Sequence, residues 1–311
     1  MKAVHLVAEE VKHAPVMLKE AIEFLDPQEG GIYVDCTLGS GGHAKEMLRL
    51  IGPTGRLIGF DKDEFALKRS KEVLAPYLEQ VIFIYSDFRQ MVEILHDLQI
   101  DKVDGIIFDL GVSSNQVLEP ERGFSYNYDA FLDMRMDQSS ATTAADLVNT
   151  LPEKELADII FRYGEERWAR RIASFIVDWR KKSSVTTTGQ LVEIIKAAIP
   201  ARARRTGPHP ARRTFMALRI AVNDELTGAE AGLRAGISLL KQGGRIVAIS
   251  FHSLEDRIVK NVFREYGHHS RNEIRILTKK PIIPDDAEVK ANSRSRSAKL
   301  RAAEKLLPDK E

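Results

Sequence analysis

Apolar positions follow two rhythms along this chain, and the rhythm changes near residue 112. Before that point, short apolar runs rich in β-branched residues alternate with stretches in which apolar residues recur every three or four positions. Ile32–Leu38 is such a run, and Ala44, Met47, Leu48 and Ile51 follow it at helical spacing. Gly52–Gly55, "GPTG", breaks that helix. Arg56–Asp61 predicts a second strand, Val81–Phe88 a third and Val103–Gly111 a fourth. Asp63 is placed to cap a helix whose buried face takes in Leu67, Ser70 and Leu74, and a further helix runs to about Leu98. The strands are apolar without alternation, as burial on both faces requires. Strands and helices alternating in this way predict an α/β domain with a parallel sheet covered on both sides.

From about Val112 to Arg213 the strand rhythm is missing. Leu156, Ile159, Ile160 and Tyr163 share one helix face, and Trp168, Ile172, Phe175, Ile176 and Trp179 share another. The Trp168–Trp179 stripe reads as the core of this segment, not as a base-stacking platform. "TTTGQLVEIIKAAIP" predicts a helix capped near Thr187 and stopped before Pro200. A long helical stretch then leads from Arg213 to Leu240, followed by a strand of the first type, Arg245–Phe251, and a weaker candidate, Glu273–Ile282. The expected organisation is an α/β core, residues 1–112 and 214–311, interrupted by a helical insert, residues 113–213. The polar, basic stretch from Lys290 is expected to be a partly mobile tail.

Composition narrows the class. The chain has 311 residues, 43% hydrophobic and 29% charged, as soluble globular proteins do. No run approaches the ~18 apolar residues of a membrane helix, and the N-terminus lacks an apolar signal core. Cys36 is the only cysteine, which excludes an internal disulfide and a thiolate cluster and suits a reducing cytoplasm. The eight histidines show no ligand spacing, so no metal is expected, and His268–His269 reads as solvated surface. The formal net charge is only +1, but it is unevenly spread. Arg202, Arg204, Arg205, Arg212 and Arg213 crowd a stretch holding Pro200, Pro208 and Pro210 and no acid. Such a stretch is either a phosphate-contacting loop or a solvated connection. Lys290, Arg294, Arg296, Lys299 and Arg301 add a second basic run.

The candidate chemistry gathers at the predicted strand ends. "YVDCTLGSGGHAKEML", Tyr33–Leu48, reads as strand, glycine-rich turn and helix. Gly39, Gly41 and Ala44 match a loose G-x-G-x-x-A, a weak signal by itself because a tight turn also needs glycine. Asp61 ends the next strand about 20 residues on, where an acid accepts hydrogen bonds from a ribose. Together these features predict a nucleoside-containing cofactor, bound by either a nicotinamide-dependent oxidoreductase or a methyltransferase. Asp35 inside the first strand suits a cationic cofactor, where dinucleotide enzymes carry an apolar residue. Asp87 and Phe88 follow the third strand, where an aromatic face suits an adenine ring. Asp109 ends the fourth strand beside backbone acceptors. His252, just past Arg245–Phe251, either touches a target base or caps the next helix.

The segments "DCTLGSGGH", "GFDKD", "FDLGVSSNQ", "ERGFSYNYDAFLDMRMD", "FRYGEE", "IPARARRTGPHPARRTFMALRIAVNDEL", "SFHSLEDRIVK" and "NSRSRSAKLRAAE" resemble the bacterial 16S ribosomal RNA (cytosine-N4)-methyltransferases, the MraW or RsmH family. The resemblance runs from "HAPVMLKE" to the C-terminal segment. It implies a class I, Rossmann-like S-adenosylmethionine-dependent methyltransferase core with an inserted all-helical domain. It also implies S-adenosylmethionine as donor and a decoding-centre cytosine of 16S ribosomal RNA in the small subunit as target. Carried over by position, the cofactor contacts fall on Gly41, Gly42, His43, Asp61, Phe88, Asp109 and Gln116, alongside Asp35 and Gly39 from the residues themselves. Ser40 and Met216 stand where the family more often has glycine and glutamine, and the segment near residues 267–272 is short. Asp109 and His252 are the catalytic candidates, and Arg202, Arg204, Arg205, Arg212 and Arg213 the RNA-binding ones. The rivals are an NAD-dependent oxidoreductase and a non-catalytic RNA-binding assembly factor with a nucleoside pocket; a homodimer is left open.

Overall fold

A computed structural model describes residues 15–205, 207–267 and 272–306. The pair His268–His269 and the start of "HAPVMLKE" lie outside the described residues. Within them, seven strands form one sheet: β1 (Ile32–Asp35), β2 (Arg56–Asp61), β3 (Val81–Tyr85), β4 (Val103–Asp109), β5 (Leu240–Ser250), β6 (Ile274–Ile276) and β7 (Lys299–Lys305). The order across the sheet is β3-β2-β1-β4-β5-β7-β6. β1 to β5 run parallel, and β7 is antiparallel to both β5 and β6. The chain leaves β1 toward β2 on one side and returns to β4 on the other. The crevice at that reversal, outside the carboxyl ends of the strands, is where open α/β sheets bind ligands. Asp35, Asp61 and Asp109 are the last residues of β1, β2 and β4, so the fold delivers three carboxylates to one edge.

Two apolar layers sandwich the sheet, one including Ile106, Phe108, Leu233 and Phe263, the other Tyr33, Met47, Ile107 and Val247. Residues between Phe124 and Leu218 form a third cluster of their own, built on Leu156, Ile160, Ile172, Ile176 and Leu191. The helix Thr188–Ala198 is capped by Thr187, whose hydroxyl accepts the Gln190 amide while the Gln190 side chain returns to the Thr187 amide. Trp168 packs at the margin of this cluster, but Trp179 is 40% exposed, so the tryptophan stripe is only partly core.

Three expectations are corrected. The stretch from Arg213 to Leu240 is two helices, Arg212–Asn223 and Glu225–Leu239, parted at Asp224, which sits at φ +46°. The first of them adds Phe215 and Leu218 to the third cluster, so the helical layer continues past Arg213. Within the described residues the stretch from Lys290 is no mobile tail, since it runs into β7, inside the sheet, with Leu300, Ala302 and Ala303 buried. The basic residues of β7 are paired laterally, Arg301 with Asp256 at 2.7 Å and Lys305 with Glu273 at 2.8 Å.

Candidate active site

The glycine turn is tied to all three inner strands. Cys36 and Leu38 continue the sheet by donating their amides to Ile107 O and Phe60 O, each at 2.9 Å. The chain then turns through Gly39 (φ +52°) and Gly41 (φ +79°), left-handed positions that glycine occupies without strain. A Cβ on Gly41 or Gly42 would press on Leu74 or Pro15, whereas one on Gly39 would meet only Thr37 O at 3.7 Å. Gly39 therefore borders open space, and a side chain there would fill it. Its amide donates to Asp61 Oδ2 at 2.8 Å, and the Asp63 amide donates to Asp61 Oδ1 at 2.9 Å. The Thr37 amide donates to Asp35 Oδ1 at 3.0 Å, and Thr37 Oγ1 accepts the Asp109 amide at 2.6 Å. Thr37 thus joins the ends of β1 and β4, a role without any signal in the sequence.

The electrostatics of this edge are uncompensated. Burial pushes the Asp35 carboxyl up to about 7, with the nearby Asp61 adding to it. Burial lifts Asp61 to about 6 against the pull of its two amide donors. Asp109 reaches about 8, through burial first and then repulsion from Asp35 and Glu255. Asp109 Oδ1 is buried with no hydrogen-bond partner, and Oδ2 lies 3.8 Å from His43 Nδ1. His43 offers no counter-charge. Burial lowers it to about 4, and its Nε2, 3.1 Å from Val16 O, holds the proton that bonds that carbonyl. A cation entering the crevice would relieve all three carboxyls at once.

A linked prediction follows. Binding of a cationic ligand should release protons near pH 7, because it lowers pKa values that stand at about 6 to 8 in the free protein. In the free protein the three raised carboxyls hold more protons than they would in the unfolded chain, so stability should fall as pH rises from about 4 to 8. Calorimetric titration in buffers of different ionisation enthalpy reads the released protons directly. Proton uptake, or none between pH 6 and 8, contradicts the prediction.

The remaining sequence candidates are placed as follows. Phe88 is half-buried, edge-on to Phe108 with ring centroids 5.4 Å apart, and packed where a Gly232 Cβ would be 2.5 Å from its ring. Asp87 caps the turn Phe88–Gln90 and is paired with Arg89 at 3.0 Å. Gln116 is buried and fully engaged. Its Oε1 accepts the Ser113 amide at 3.0 Å in a capping box, and its Nε2 donates to Asp63 Oδ2 at 2.8 Å. His252 precedes the helix Ser253–Gly267 and accepts the Glu255 amide on Nδ1 at 3.4 Å, a capping contact. Its Nε2 lies 3.1 Å from Glu255 Oε1.

Glu255 itself escaped the sequence reading. Its Oε2 accepts the Phe251 amide at 2.7 Å and the His252 amide at 3.3 Å, holding the end of β5. Burial works to raise its pKa, but His252, Arg219 and the Phe251 amide outweigh it and hold the carboxyl below its usual range. Arg202, Arg204, Arg205, Arg212 and Arg213 are all exposed. They lie on the helical layer, with Arg212 and Arg213 opening the helix Arg212–Asn223.

The sheet order, with one antiparallel strand between β5 and β6, departs from the dinucleotide-binding arrangement 3-2-1-4-5-6. With the glycine turn and the acid ending β2, it defines a Rossmann-like class I methyltransferase fold. The sequence profile of the MraW methylase family matches residues 10–306, and the chain belongs to that family of methyltransferases. It is 52% identical to Ribosomal RNA small subunit methyltransferase H of Geotalea uraniireducens, covering 94% of this chain and 98% of that protein. It is 49% identical to the protein of the same name from Brevibacillus brevis, again over 94% and 98%. A weaker likeness, 13% identity and a TM-score of 0.41 over 93% and 94% of the two chains, links it to an rRNA methylase from Streptococcus thermophilus.

Among the described residues no helix is long and apolar enough to cross a membrane, and no group of three or more His, Cys, Asp or Glu could hold a metal ion.

Proposed function

We propose that the protein transfers a methyl group from S-adenosylmethionine to the exocyclic N4 of a decoding-centre cytosine in 16S ribosomal RNA, with the small ribosomal subunit as partner. The observation that carries this reading is Asp109, whose Oδ1 is a buried acceptor without a donor at the end of β4. The residues present suit the donor molecule. It brings an ammonium and a sulfonium to an edge with three uncompensated carboxyls, and the open space at Gly39 admits it against the backbone. Asp61 would take the ribose hydroxyls, Asp35 and Asp109 would face the cationic part, and Phe88 would face the adenine. The donor supplies an electrophilic methyl group; everything else is positioning.

The chain's own task is to present the nucleophile. The exocyclic nitrogen of cytosine is conjugated with its ring and is poorly nucleophilic. An acceptor for its N–H hydrogens draws the lone pair out of conjugation, and the part-exposed Asp109 carboxyl at the end of β4 would be that acceptor once the bound cation holds it ionised. Gly111 turns the chain directly after β4 at φ +100°, a backbone conformation that a side chain would strain. Glu255 acts as a positioning residue that fixes the end of β5. Alignment of nucleophile and methyl accounts for much of the rate in such a site.

The relatives' names and the exposed arginine loop support RNA as the substrate. The test is a radiolabelled methyl assay on small subunits from a strain lacking the enzyme, with mapping of the modified base. Label on another base class, or none, would overturn the reading. Within it, changing Arg202, Arg204 and Arg205 together to Ala should weaken RNA binding and flatten its salt dependence, with little effect on cofactor affinity. Binding at several salt concentrations checks this, and an unaltered slope returns the loop to a solvated connection.

A further inference from the structure

Arginines divide by the company they keep. Around the sheet they are engaged: Arg234 with Glu230 and Glu265, Arg245 with Glu304, Arg301 with Asp256, Arg89 with Asp87 and Asp224. On the helical layer some arginines are engaged as well, Arg135 with Asp133 and Arg219 with Glu225, but one group is not. Arg167, Arg170 and Arg171, where the helix Ala169–Arg180 begins, are exposed and have no acidic partner among the described residues; the same holds for Arg212. Arg167 lies over the Trp168 ring, 5.4 Å from its centroid, and Arg171 over the Phe175 ring at 5.3 Å. A guanidinium held against a ring is partly pre-ordered and keeps N–H groups available for a phosphate.

Three distant segments meet at Glu165. This residue, at φ +48°, ends the helix Glu153–Gly164, just before Arg167. Its carbonyl accepts Arg213 Nη1 at 3.1 Å. Its carboxylate accepts Ser253 Oγ at 2.9 Å and lies 3.5 Å from Arg257 Nη2. Gly164 sits so close that a Cβ would be 2.7 Å from Arg213 O. The unpaired arginines are thereby held next to the start of the Ser253–Gly267 helix, directly after the carboxyl end of β5.

We propose that this seam between the helical layer and the sheet is an RNA-binding surface. Phosphates of the strand carrying the target base run over Arg167, Arg170, Arg171 and Arg212, and Glu165 clasps that track to the edge of the methyl-transfer site. The inference rests on the reading of the protein as an RNA methyltransferase, and it places the RNA entry at the seam rather than on the arginine loop alone. RNA fits better than an acidic protein because the guanidiniums match phosphate and the seam meets the carboxyl end of β5, the strand that pairs with Asp109's β4.

The test compares the unmodified protein with an Arg167→Gln/Arg170→Gln double variant. It measures binding to protein-stripped 16S RNA and to small subunits at several salt concentrations, with cofactor titration in parallel. Expected are a dissociation constant for RNA raised about tenfold and a salt slope reduced by about 0.7 per lost single-strand phosphate contact. Cofactor affinity should be unchanged, and Arg167→Lys/Arg170→Lys should restore the slope. An unmodified protein with a steep slope and a double variant with the same slope overturns the seam and leaves the RNA reading standing. Loss of binding to subunits but not to stripped RNA gives the surface to a ribosomal protein and also overturns it. Absence of salt-dependent RNA binding and of methyl transfer in the unmodified protein defeats the underlying reading itself.

Discussion

Asp109→Ala should lower single-turnover methyl transfer by roughly 10²–10³-fold, the cost of removing one preorganised electrostatic group from a reacting centre. It should do so without weakening the fold. Asp109 Oδ1 makes no hydrogen bond, and the carboxyl sits at about 8 because burial and its neighbours Asp35 and Glu255 oppose its charge. In the unliganded protein the carboxyl is therefore a liability whose cost grows as pH rises from about 4 toward 8. Thermal unfolding at pH 8 should show the Ala variant at least as stable as the unmodified chain. A structural acid gives the opposite pair of results, with lost stability and retained chemistry. Asp109→Asn keeps an acceptor oxygen without the charge and should fall between the two in rate. Near-normal single-turnover methylation by Asp109→Ala would mean that the reacting base lies elsewhere.

The acids that end β2 and β4 were legible because each follows a run of apolar residues, whereas Asp35 read as interior to a run reaching Leu38 and instead ends β1. Arg56–Asp61 matched its strand in both bounds for the same reason. β7 was not legible. "KLRAAEK" carries three basic residues and an acid in seven positions, and small alanines give little apolar signal. It becomes a strand because β5 and β6 flank it and Asp256 and Glu273 neutralise its charges, partners separated from it by tens of residues. The break at Asp224 was equally silent. No Gly or Pro marks it, and Asp224 adopts a left-handed backbone while its side chain pairs with Arg89 at 2.9 Å.

Side-chain roles were harder to read than positions. Gln116 and His252 were singled out as site residues, and each has a cap to serve, legible for Gln116 in the Ser113-x-x-Gln116 spacing of a capping box. Thr37, Glu165 and Glu255 carry no periodicity and no motif chemistry of their own. They matter because they bridge elements 72, 88 and 3 or more residues away in sequence. For Thr37 and Glu165 only the assembled fold brings those partners together, whereas the amides that Glu255 accepts are local, three and four residues before it.

The second large effect concerns Asp61. Replacing it with Ala removes a charge-assisted acceptor for the ribose hydroxyls, expected to cost roughly 1.5–3 kcal/mol of cofactor binding, or about 10- to 150-fold in affinity. The carboxylate has a second duty. It accepts the Gly39 and Asp63 amides, so Ala also leaves the turn's amide without its acceptor, and the measured loss should lie at the upper end of that range. The two contributions separate by pH. Asp61 stands at about 6 in the free protein, raised mainly by burial. Below that value it is increasingly protonated, and cofactor affinity should decline. Asp61→Asn keeps an oxygen for the Gly39 amide but cannot titrate, so its affinity should be lower than that of the unmodified protein at pH 8. Between pH 7 and 5 it should lose the part of the decline that Asp61 causes, while the larger contributions of Asp35 and Asp109, whose values in the free protein are higher, remain. Calorimetric affinities of the unmodified, Ala and Asn proteins at pH 5, 6, 7 and 8 carry the test. An unchanged affinity in a folded Asp61→Ala protein, or the full pH dependence persisting in Asp61→Asn, would remove Asp61 from the cofactor site and leave it only its hold on the glycine turn.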